Sequence, residues 1–141
     1  MTSKEYKDAS EALARAIIAA YGKEAASFDD LEEQVMSAFV LGAHRAFSRD
    51  EAGVQEWQSK VAMLEILHEV FGFPMEMAGN AMEFLLQCLE DKTYQPVLYG
   101  VMECGASGWP LLKEDPEALG RTLREMMAVL GQRLDFDDTS L

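Results

Sequence analysis

Apolar residues at three- and four-residue spacing recur along most of this chain, and that period belongs to helices. From Ser3 to Tyr21 the inward positions are Leu13, Ala16, Ile17 and Ala20, and Gly22 stands where a helix C-cap is expected. A second helix, running to about Phe47, carries the stripe Leu31, Val35, Ala38, Phe39, Gly42, Ala43 and Ala46. Ser27 before Phe28-Asp29-Asp30 suits its start as an Asp variant of the capping box. Ser48-Arg49-Asp50-Glu51 matches the S-x-x-E box and predicts the start of a third helix. Val54, Trp57, Val61, Leu64, His68 and Phe71 trace its inward face, while Met63, Ile66, Leu67 and Val70 widen the apolar surface. A helix apolar on more than one side belongs at the centre of a bundle.

Gly72-Phe73-Pro74 ends that helix, and Pro74 to Glu90 forms a fourth with Met77, Ala81, Phe84, Leu85, Cys88 and Leu89 facing inward. Thr93 to about Cys104 reads as a fifth, with Pro96 in its first turn and Val97, Leu98, Val101 and Met102 inward. The stretch from Gly105 to Pro110 concentrates turn formers and is read as a loop. Asp115-Pro116 supplies an N-cap and first-turn proline for a final helix burying Leu119, Leu123, Met126, Met127 and Leu130. The expected fold is all-α, a compact single-domain bundle of about six helices over residues 1–141, with a frayed tail from about residue 135.

With 141 residues, 49% of them hydrophobic, the chain can bury a sizeable core without disulfides. Twelve Lys and Arg against 25 Asp and Glu give a formal charge of -13 at pH 7. That charge repels nucleic-acid phosphates and anionic lipid surfaces and steers basic proteins toward the surface. Charges in the first eight residues replace the apolar core of a signal peptide, and no apolar run is long enough for a bilayer. Cys88 and Cys104 lack a CxxC arrangement, which fits a reduced cytoplasmic interior.

The catalytic vocabulary is sparse. The histidines, His44 and His68, lie in no HExxH sequence. Glu65 and His68 have the E-x-x-H spacing of di-iron bundles, but His44 has Leu41 three residues before it, so the second copy such a site needs is missing. No signature pairs Cys104 with a histidine, and the glycines of Gly100–Gly105 lack the Lys and Ser/Thr of a phosphate loop. These residues argue against an enzyme and imply no metal and no cofactor. The nine methionines fall mostly at core positions, and Trp109 is expected to anchor inward or to meet a partner.

The stretch from Phe71-Gly72-Phe73-Pro74 through Tyr99-Gly100-Val101-Met102-Glu103-Cys104-Gly105, with Trp109-Pro110, resembles immunity proteins of bacterial polymorphic toxin systems. The resemblance implies a cytoplasmic protein that binds a cognate toxin domain and covers or distorts its active site; it transfers no binding residue. Charge adds that a basic toxin would be drawn to acidic surface. Two groups are candidates for contact: Asp29, Asp30, Glu32 and Glu33 at the second helix start, and Asp135, Asp137 and Asp138 near the end, with Trp109 as an aromatic candidate. The first group also suits the positive end of a helix dipole without any partner. An acidic chaperone or adaptor for a secreted protein is the rival binding role, and a metal-dependent helical enzyme using Glu65 and His68 the rival chemistry. A homodimer on an exposed face of helix three is compatible with each.

Overall fold

A computed structural model describes residues 1–139, with side chains through residue 132. It is all-α: α1 (Ser3–Tyr21), α2 (Asp30–Phe47), α3 (Glu56–Glu69), α4 (Met75–Glu90), α5 (Pro96–Gly108), the single-turn α6 (Leu111–Glu114) and α7 (Pro116–Thr139). Among the described residues no helix is long and apolar enough to cross a membrane.

The centre is α2, not the third helix. Its run Val35–Phe39, Val40, Leu41, Gly42 and Ala43 is buried all round, because the segment carries apolar or small residues on every face. The closest packing in the bundle is between α2 and α5. A methyl group at Gly42 would overlap the Met102 carbonyl, and one at Gly105 would overlap the Phe39 carbonyl, so the two backbones touch through glycine. Gly120 lets α7 approach the Ala20 carbonyl of α1 in the same way. Gly105 is therefore helical: α5 continues to Gly108 instead of ending at Cys104, because this glycine supplies small size and not a turn.

Helix α1 begins and ends at the expected residues, closed by Gly22 at φ 91°. Its inward face includes Tyr6, Ser10, Ala14, Ile17 and Ile18, while Ala16 is exposed. The cap of α2 lies two residues beyond Ser27. Asp29 accepts from the Glu32 amide at 2.8 Å, and Glu32 accepts from the Asp29 amide at 3.0 Å. Ser27 sits instead in a 3-10 turn, Ala25–Ser27.

Ser48 does not start α3. The chain continues past Phe47 in a single π turn, Ser48–Ala52, stopped by Gly53 at φ 64°. The Ser48 hydroxyl, free to cap in the sequence reading, meets the Tyr6 hydroxyl at 2.7 Å. Helix α3 starts at Glu56, and Gln58 accepts from the Gln55 amide at 2.9 Å. Its buried face is Ser59, Ala62, Met63, Ile66 and Leu67, so Trp57 and Val61 point outward, 62% and 49% exposed. Helices α4 and α7 bury Ala78, Met82, Leu85 and Cys88, and Leu119, Leu123 and Met127, respectively. Met77 and Val97, expected inward, are exposed. Asp115 caps α7 as expected, accepting from the Ala118 amide at 3.1 Å.

Candidate functional site

The acidic start of α2 divides into structural and available groups. Glu32 is 5% exposed and receives Tyr21 Oη–H, Lys23 Nζ at 2.6 Å and the Asp29 amide. Burial alone would raise its pKa, but the hydrogen bonds from Lys23, Tyr21 and Asp29 outweigh that and lower it to about 2. The same burial, together with donation to Glu32, pushes the Tyr21 phenol well above its ordinary value. Glu32 thus ties the end of α1 to the start of α2, and Asp29 spends its carboxylate on the helix cap.

Asp30 and Glu33 remain on the outer side of the same turn. With Gln34 and Ser37 they form one wall of a groove of about 250 Å³ between α2 and α4, across from Phe73, Met77, Ala81, Phe84 and Leu85. Met77 is 46% exposed, Met75 beside it is also exposed, and Phe84 is met edge-on by Tyr94 at 6.2 Å between centroids. Among the described residues the lining holds two carboxylates and no cation. Such a groove attracts a positive group at range and offers apolar surface once water is displaced.

Other candidate groups are committed elsewhere. His44, fully buried, has Nε2 within 2.8 Å of Ser10 Oγ and 3.3 Å of Tyr6 Oη, and its Nδ1 has no partner among the described residues. Burial pushes its pKa down to about 4. His68 donates Nδ1–H to the Phe73 carbonyl at 2.7 Å, and Glu65 pairs with Lys7 at 3.6 Å, so the E-x-x-H pair serves two separate contacts. Among the described residues no group of three His, Cys, Asp or Glu is placed to hold a metal. Cys88 is buried, which raises its thiol pKa, whereas Cys104 is exposed.

The model of the Immunity protein 48 family matches residues 2–131. The chain belongs to that family. No curated protein and no solved structure matches it. As a member of the Immunity protein 48 family it neutralises a cognate bacterial toxin by binding it, a protein-protein role that displaces the chaperone and metal-enzyme alternatives. In this immunity protein two of the residues singled out in the sequence, Asp30 and Trp109, lie at opposite ends of α2. Trp109 caps α5 and packs edge-on against Phe47 at 5.9 Å, at the opposite end of α2 from Asp30, roughly 25 Å along the helix axis. The side chains of Asp135, Asp137 and Asp138 lie outside the described residues. The groove floor was hidden in the sequence because Met77, Ala81 and Phe84 share the period of a core stripe. The available signal was a second stripe, Ala78, Met82 and Leu85, next to it: two adjacent stripes leave one outside.

Proposed function

We propose that this immunity protein, acting in the cytoplasm, engages its cognate toxin through the acid-walled groove between α2 and α4 and so covers the toxin's active site. The observation carrying this reading is the juxtaposition of Asp30 and Glu33 with the exposed Met77 and the half-buried Phe84. The toxin element that fits presents a basic side chain beside an apolar one. The protein's charge of -13 speeds the encounter, and the apolar floor sets the residence time. Trp109 and Glu32 serve the fold in this reading, and Asp29 serves the cap.

Stopped-flow and surface-binding kinetics with the cognate toxin domain test it. Asp30→Asn with Glu33→Gln is expected to slow association about fivefold at low salt, with the difference fading at high salt. Met77→Ala is expected to raise the dissociation rate about tenfold with little change in association. Glu32→Gln separates the roles: it removes hydrogen bonds to a buried charge and lowers stability by about 2 kcal/mol, leaving association nearly unchanged. Wild-type rates in the first two variants would remove the groove from the interface.

A further inference from the structure

The outward face of α4 carries a row of carboxylates that the fold does not use. Glu76, Asn80, Glu83, Gln87 and Glu90 follow one another at four- and three-residue steps, and all are exposed. They lie next round the helix from Met77, Ala81 and Phe84, on the side away from the buried Ala78, Met82 and Leu85. The row therefore borders the groove between α2 and α4 along its outer edge. Among the described residues none of its three glutamates is paired with a lysine or arginine. Between Lys60 and Lys92 the sequence holds no lysine or arginine at all. The other edge of the groove is acidic too, through Asp30 and Glu33 on α2. Across it the two helices barely touch, because α4 is held by α3 and α5 while α2 packs chiefly on α5. Nor does the apolar strip stop at Phe84: Tyr94, edge-on to that ring, is 43% exposed.

We propose that the occupant of this groove is a basic amphipathic α-helix of the toxin, lying along α4 with its apolar stripe on Met77, Ala81 and Phe84 and its lysines or arginines on the flanks. This rests on the groove being the toxin-binding surface and adds the form of the toxin element. The spacing of the glutamates favours a helix. Glu76, Glu83 and Glu90 stand seven residues apart, roughly 10.5 Å of helical rise per step. A helix laid beside α4 has the same rise, so cations at every seventh position keep step with all three glutamates and stay on one flank. A β-strand returns a side chain to the same face after two or four residues, at about 6.6 or about 13 Å, and falls out of step. Met77, Ala81 and Phe84, themselves at four- and three-residue steps, form a ridge of the kind that packs between the apolar side chains of a second helix. Charge sets the sign of the flanks: carboxylates on both edges repel an acidic helix and draw a basic one.

Calorimetric titration of the full chain with two synthetic peptides of about fifteen residues, each held helical by a staple, tests the form of the occupant separately from the site. Both peptides have the same composition. One carries lysines seven residues apart on the flank of a leucine stripe; the other has those lysines moved to the face opposite the stripe. The first is expected to bind at least about tenfold more tightly than the second. Replacing all three glutamates (Glu76→Gln, Glu83→Gln and Glu90→Gln) is expected to weaken the first about tenfold at low salt, with the difference fading at high salt and the helical circular dichroism unchanged. Equal affinity of the two peptides, no binding of the first, or wild-type affinity in the triple variant overturns the proposal. With the toxin domain, the triple variant is expected to slow association as the Asp30 and Glu33 variant does. If the Asp30, Glu33 and Met77 variants alter toxin binding and the α4 triple variant does not, the groove stays the interface and the helix is overturned. If toxin binding is indifferent to all of them, the groove itself is overturned.

Discussion

Gly42→Val lowers the stability of the fold by at least about 3 kcal/mol, and the protein melts some 10 °C below wild type. A methyl group at this position overlaps the Met102 carbonyl, and the obstacle is backbone, which cannot rotate away as a side chain would. Making room requires α5 to lift off α2, opening the largest helix contact of the bundle and exposing Val101 and Met102. Gly105→Val meets the Phe39 carbonyl from the other side and has the same consequence. Gly79 supplies the control. It lies within α4 with open space where a side chain would project, so Gly79→Ala should raise stability by about 0.5–1 kcal/mol through the lower entropy of the unfolded chain. Thermal and urea unfolding of the three variants reads the contrast directly. Equal effects at Gly42 and Gly79 would mean that the backbone contact is not what the glycine provides.

Between about pH 6.5 and about pH 4 the protein loses on the order of 3 kcal/mol of stability to His44 alone. The sign follows from burial. Folding holds the imidazole neutral, with its pKa pushed from 6.5 down to about 4. In that window the unfolded chain binds a proton that the folded chain refuses, so stability is complete above the unfolded value and falls as pH drops toward the folded one. Glu32 behaves the same way lower down: its pKa is lowered from 4.5 to about 2, so its contribution is lost as pH falls through that range. His44→Gln keeps a polar group near Ser10 and Tyr6 but cannot titrate. Urea unfolding of wild type and His44→Gln at several pH values between 4 and 7 isolates the effect. The variant should have a flatter profile in this window, and parallel profiles would show that His44 does not titrate with unfolding.

How far the fold could be read from the sequence depended on whether a residue's local role was also its tertiary role. At α1 the two agree: Gly22 has no competing use, and both ends of the helix fall where expected. At Ser48 they diverge, because a hydroxyl suited to capping is taken by Tyr6 from another helix, and the cap of α3 moves seven residues on, to Gln55. The face of α3 then turns. Val54, Trp57 and Val61 have helical spacing, yet the face with Ser59 and Ala62 packs inward because small residues admit the neighbouring helices. Gly105 misled in the same sense, since its smallness and its flexibility look alike in a sequence. The centrality of α2 was missed in favour of the third helix, although the run from Val35 to Ala43 exceeds a single stripe.

The candidate site shows the same division. The acidic start of α2 was visible in the sequence, but four neighbouring carboxylates carried no mark of which ones face inward. Three-dimensional packing assigns Glu32 to Tyr21 and Lys23, Asp29 to the cap, and leaves Asp30 and Glu33 at the groove. The apolar half of the groove could not be separated from core, because a methionine on a wide helical stripe is written identically whether it lies under a neighbour or outside it. Trp109, for which the sequence left two roles open, packs edge-on against Phe47 and stays half-buried.

Amide hydrogen exchange of the immunity protein, alone and saturated with its cognate toxin domain, maps the surface that does the neutralising. Slowed exchange is expected to concentrate at residues 29–37 and 73–85, the two walls of the groove between α2 and α4. Protection confined to residues 1–7 and 54–65, with the groove exchanging as in the free protein, would contradict it.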